Sequence, residues 1–216
     1  MTTPFVSVSD PNATLEFRKN RAIQGDATRL ELKAGTIDFG TTTQRFATVE
    51  GTGVPYFNLT GADSSALELV LSADLTLNSN LTGGLGVSKL GSATLTLSGR
   101  DFASSGDLSV FEGALAIAED ATWLNGTNVT VSGTGVFKPM KSRRLSRDCQ
   151  LTVTEDGVLS IPAGVTLSVK SATFDGVELD GGSYSYATAP ETLRKHFDPQ
   201  AGGVLSVRGG MVLILR

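Results

Sequence analysis

The chain has one cysteine, one histidine and one tryptophan in 216 residues, and aromatic residues make up 6% of it. A lone cysteine, Cys149, excludes an internal disulfide, and with His196 as the only histidine no Cys/His zinc set can be assembled. Cys149 has no histidine near it in sequence, so it reads as a small rung residue rather than a nucleophile. No apolar run reaches the roughly 18 residues of a membrane-spanning helix. The N-terminal stretch MTTPFVSVSDPN has neither the basic nor the apolar part of an export signal. If the parent protein is exported, its signal lies elsewhere, and the chain is expected to be a segment of something longer. Charge of one sign is also missing: 18 basic residues face 22 acidic ones, for a net charge of −4, so nothing predicts attraction to nucleic acid.

Short alternating stretches separated by turn residues are abundant. Ala93, Leu95 and Leu97 alternate with Thr94, Thr96 and Ser98, the period-two pattern of a strand with one apolar face. Leu108 with Val110, and Leu115 with Ile117, repeat it. Ser98-Gly99-Arg100-Asp101, Ser104-Ser105-Gly106-Asp107 and Glu112-Gly113 lie between, and such residues supply turns. Strands this short cannot stand alone and must stack on copies of themselves. The copies are present: Leu75, Leu95 and Leu115 stand 20 apart, Leu108, Val129 and Leu151 stand 21 and 22 apart, and Leu115, Phe137 and Leu159 step by 22. One step length in several registers predicts an all-β solenoid with about 20–22 residues per coil. The series compete for Leu115, which leaves strand-to-face assignment open.

The run Lys89, Gly91, Leu95-Thr96-Leu97, Gly99, Asp101-Phe102, Gly106, Leu108, Val110, Gly113, Leu115 resembles the autotransporter-associated β-strand repeat of bacterial secreted and surface proteins. Ala93 stands where that family usually has Gly, and Asp101 and Phe102 where it often has Asn and Tyr. Gly35-Thr36-Ile37-Asp38-Phe39-Gly40, with Gln44, Val49, Gly51 and Gly53, looks like a second pattern of the same proteins. The resemblance covers roughly a third of the chain. It implies a right-handed parallel β-helix and no single activity.

A single domain is expected over residues 1–216: an N-terminal cap and first rung over 1–34, coils over 35–170, and C-terminal rungs and cap over 171–216. Phe5, Val6 and Val8 are candidates to cover the first rung, whose open backbone edge would otherwise pair with another chain. Leu15 with Phe17, Leu30 with Leu32, and Ile37 with Phe39 fit short inward-facing pairs. Near the other end, Pro190 begins one or two helical turns in which Leu193 and Phe197 share a face, and Pro199 ends them. Leu205 with Val207, and Val212 with Ile214, finish as strands.

Chemistry-bearing motifs are scarce. Asp38, Glu68 and Asp74 fall at turns or on outward strand faces, and His196 falls in the cap. Gly83-Gly84-Leu85-Gly86 is glycine-rich, but no helix follows to make it a phosphate loop. The Asn-x-Ser/Thr triplets at Asn12, Asn58, Asn80, Asn125 and Asn128 suit the turn composition. Tyr56, Trp123, Tyr184 and Tyr186 are candidate sugar-stacking rings that also suit packing. The one charged cluster, Lys138 to Arg147, offers Lys141, Arg143, Arg144 and Arg147 as a candidate surface for an anionic ligand, against the plainer reading of a solvated corner.

These features predict a non-enzymatic structural or adhesive module of a larger secreted or cell-surface bacterial protein, without a cofactor or a metal. The alternative is a carbohydrate-active or carbohydrate-binding module beside a polysaccharide-degrading enzyme. Expected partners are a polysaccharide or a cell-surface glycan, not nucleic acid, with end-to-end self-association as a further route.

Overall fold

A computed structural model describes residues 5–22, 28–50, 57–98, 104–121, 128–144 and 148–208. The Gly99 to Phe102 turn, Gly51, Gly53, Tyr56, Trp123, Asn125, Arg147, Val212 and Ile214 lie outside the described residues. The chain forms an all-β parallel solenoid. Each full coil lays successive short strands on different faces, and each strand pairs in register with its counterpart one coil away.

The longest face is an eight-stranded sheet running from Thr43–Phe46 to Val177–Glu178. Two rows of residues point inward from it. One row is Gln44, Leu67, Val87, Leu108, Val129, Leu151 and Ala172; the other is Phe46, Leu69, Lys89, Val110, Val131, Val153 and Phe174. All fourteen are buried. A second face, of five strands, stacks Leu75, Leu95, Leu115, Phe137 and Leu159. The 20-residue and 22-residue series therefore do not compete for Leu115: they are one row, whose coils lengthen after it.

The parallel ladder requires backbone to approach backbone at the corners. At Gly91, φ is +79° and an added Cβ would fall 2.4 Å from the carbonyl oxygen of Leu71 in the coil below. A side chain there would be strained twice, by its φ and by that contact.

The ends differ from the middle. At the N-terminal end Phe5–Val8 pairs with Arg29–Leu32, burying Val6 and Val8 but leaving Phe5 60% exposed beneath the Arg29 guanidinium. Phe17, Phe39 and Phe46 pack together there, with centroids 5.7 Å and 6.4 Å from Phe17. The first strand of the long sheet is closed by residues 19–22: buried Gln44 donates to the Lys19 carbonyl and accepts from the Ala22 N–H, and Asn20 accepts from the Thr43 N–H.

At the C-terminal end antiparallel strands join the parallel ones. Val177–Glu178 folds back antiparallel on Ser171–Phe174, and Gly182–Tyr184 lies antiparallel to Val204–Val207. The expected helical turns are a 3₁₀ helix, Glu191–His196, entered from Pro190, with Leu193 and Phe197 buried. Phe197 bridges Leu159, the last residue of its row, and stacks on Phe174 at 5.3 Å.

Alternation and stacking set the energetics. Leu95 and Leu97 are fully buried and alternate with Thr94 and Thr96 on the outer face. Leu95→Ala should cost about 2–5 kcal/mol, whereas Thr96→Ala should stay within about 0.5 kcal/mol. Denaturant melts of the two variants check this, and similar losses would contradict the inward–outward assignment.

Candidate functional site

Four groups of residues invite a functional reading, and each is built by the coil geometry. The basic cluster sits where the chain leaves Val136–Pro139. Lys141 is exposed, and Arg143–Arg144 form a two-residue strand in register with Leu167 and Ser168. Leu167 and Ser168 pair onward with Leu205 and Ser206.

The second group lies in the C-terminal cap. His196 is fully buried; its Nδ1 is 2.8 Å from the Gly157 carbonyl oxygen and its Nε2 is 3.0 Å from Asp175 Oδ2. Both ring nitrogens therefore have an oxygen partner. Lys195 Nζ reaches the same carboxylate oxygen at 2.8 Å and donates to the Glu155 carbonyl. Hydrogen bonds from Lys195 and then His196 hold the Asp175 carboxyl down at about 2. The ring also meets Phe174 edge-on at 5.5 Å. This arrangement fastens the 3₁₀ helix to the last coils. The sequence reading of His196 as a cap residue agrees with it.

The third group centres on Lys89, which stands in a core row between Leu69 and Val110 and is fully buried. Its ammonium donates to the carbonyls of Leu90 at 2.9 Å, Gly91 at 2.6 Å and Glu112 at 3.2 Å, using all three N–H groups. Burial pushes its pKa below the ordinary lysine value, and the charges of Glu112 and Asp74 pull it partly back. The Glu112 carboxylate accepts from the Gly91 N–H, so this residue holds the corner from both its ends. Cys149 is equally buried, and burial pushes its thiol up to about 12, far from a working nucleophile.

The fourth is a groove of about 390 Å³ on the corner leading into the long sheet. Asp63, Ser64 and Ser65 form one wall and Ser105, Gly106 and Asp107 the other, with Gly84 and Gly86 between them. A Cβ on Gly84 would lie 2.5 Å from both the backbone nitrogen and the Oδ1 of Asp63, so the missing side chain lets that residue fold over the floor. Ser88 and Ser109 continue the lining onto the sheet. Among the described residues, no lysine, arginine or aromatic side chain lines the groove.

Elsewhere several acidic residues serve the fold. Asp38 accepts from the Gly40 N–H, Asp74 from Thr94, Glu155 from Gly133 and Asp175 from Glu155, most of these bonds joining neighbouring coils. Glu68 pairs with Arg45 at 2.7 Å. Of the glycosylation-type triplets, Asn58 and Asn80 bond to each other and Asn128 accepts from the Gln150 N–H. Tyr184 donates to the Asp180 carbonyl, and Tyr186 is exposed. The described residues contain no cluster of three or more His, Cys, Asp or Glu able to hold a metal, and no helix long and apolar enough to cross a membrane. Compared with protein-family models, curated proteins and solved structures, the chain finds no match.

Lys89→Met keeps most of the volume but removes the donors of three carbonyls. It should cost about 1–3 kcal/mol at neutral pH, the scale of buried acceptors left unsatisfied. The folded-state pKa of Lys89 is depressed, so the folded chain binds fewer protons than the unfolded chain between that value and about 10.4. Wild-type stability should therefore rise relative to Lys89→Met as pH increases through that window. Chemical denaturation of both proteins from pH 7 to 10 measures it, and an equal or greater stability of the variant at pH 7 would show the ammonium to be tolerated rather than used.

Proposed function

We propose that this solenoid is a non-catalytic structural and adhesive module of a larger bacterial secreted or cell-surface protein, of the kind built from autotransporter-associated β-strand repeats. The observation that carries the reading is the employment of four acidic side chains in holding the coils together. Asp74, Glu112, Glu155 and Asp175 each accept from a backbone N–H of a neighbouring coil. A general acid or base must be free to exchange a proton with substrate, and these carboxylates are committed to holding corners.

The architecture favours the same role. A stack that grows by one coil at a time makes a stiff rod with long, regular outer faces, suited to spacing and to repeated contact. The return strands cover the outer edges of Ser171–Phe174 and Val204–Val207, whereas Phe5–Val8 is, among the described residues, an edge strand that end-to-end self-association could use.

Incubation with a panel of neutral and acidic polysaccharides tests the proposal. No new reducing ends should appear, and sustained release from any substrate would overturn the non-catalytic reading in favour of a carbohydrate-active module.

A further inference from the structure

The long sheet carries two outward rows that begin at the groove. One is Gly86, Asp107, Asn128, Gln150 and Ser171, the residues preceding or opening each strand; the other is Ser88, Ser109, Thr130, Thr152 and Thr173. The second is an unbroken hydroxyl ladder over five coils, with a spacing of about 4.8 Å per coil. Neither row contains a lysine, an arginine or an aromatic ring. The ladder is closed on its N-terminal side by the Arg45–Glu68 ion pair.

We propose that the groove and this ladder form a binding track for a linear, uncharged glycan. The inference rests on the adhesive reading above and assigns its ligand. Three features select the class. Asp63 and Asp107 put two carboxylates and no cation in the groove, which repels uronates and sulfated chains and accepts hydroxyl donors. Asp107 Oδ1 receives the Asn128 N–H at 3.3 Å, which helps hold this carboxylate at the groove wall. Between the groove and Glu178, the register partner of Thr173, the track is hydroxyl and amide only, so a polyol finds donors and acceptors along its whole length.

A peptide strand is the other extended ligand a sheet can take, but it needs a free backbone edge. Under the track every strand is paired with a coil on each side, so its backbone groups are used. The Gly84 floor gives the track its deep end, because Asp63 folds over it and Ser65 and Ser105 line it from the neighbouring coils. The basic corner at Lys141 belongs to a different part of the coil and takes no part.

Amide spectra of the whole chain, titrated with β-linked and α-linked neutral glucan hexasaccharides, an oligogalacturonate and a chitosan oligomer, test the inference. A neutral hexasaccharide should shift the signals of Ser88, Ser109 and Thr130. The double variant Ser88→Leu/Ser109→Leu, which fills the track at outward positions, should bind it at least tenfold more weakly with an unchanged melting temperature. If that variant does not fold, Asp63→Ala, at an exposed corner, should give a weaker loss in the same direction. The inference is overturned if no neutral oligosaccharide shifts these signals, if the folded variants bind as the wild type does, or if only the anionic or only the cationic oligomer binds. Absence of binding without glycan turnover would remove the track alone, whereas turnover in the activity panel would remove the non-catalytic reading beneath it.

Discussion

Parallel pairing in strict register is the constraint from which the other features of this molecule follow. When each strand lies directly on its counterpart, every inward residue meets the residue one coil above and one below, and a row must be compatible with itself along its whole length. Leucine and valine satisfy this through much of the stack, as in Leu67, Val87, Leu108, Val129 and Leu151. Lys89 is the exception. It is accommodated because the corner that follows it, Leu90 to Gly91, and the next corner at Glu112 aim three carbonyls at one point. Desolvating an ammonium costs several kcal/mol unless its donors are filled, so the corner geometry and the lysine depend on each other.

The same constraint explains why the ends look unlike the middle. A row that runs out exposes both apolar area and unpaired backbone, and the chain closes each end with its larger or more polar residues. Phe17, Phe39 and Phe46 gather at the N-terminal end, and Phe174 and Phe197 at the C-terminal end. Gln44 and His196 occupy buried positions near the two ends, where their side chains bond to backbone. A mostly aliphatic middle, Phe137 excepted, between polar and aromatic caps accounts for a low aromatic content in a chain with a continuous core.

Much of this architecture is legible in the sequence because period-two alternation and a 20–22-residue step are both local arithmetic. Leu75, Leu95 and Leu115 stack as their spacing predicts, and the turns from Pro190 to Phe197 form where Pro190, Leu193 and Phe197 place them. Lys89 was equally readable, since Val87 and Lys89 alternate with Ser88, but a charged residue hides a core position from any count of apolar ones. The groove was hidden for another reason. Gly83-Gly84-Leu85-Gly86 and Ser104-Ser105-Gly106-Asp107 each read as an ordinary turn, and only stacking the coils brings Asp63, Gly84 and Asp107 to one corner. Sites on a solenoid are assembled across coils, so their residues lie about one step apart and leave no contiguous motif.

Register is therefore what a decisive experiment must measure. Thr76 and Thr96 are register partners on the outer face of the five-stranded sheet, and Ser98 is partnered instead by Asn78. Neighbouring strands are about 4.8 Å apart, within the Cα separation that a disulfide spans, whereas a two-residue offset raises it to about 8 Å, beyond that range. Under mild oxidation, Thr76→Cys/Thr96→Cys should cross-link rapidly and Thr76→Cys/Ser98→Cys should not. Preferential cross-linking of the second pair would contradict the register, and with it the rows, the buried lysine and the groove.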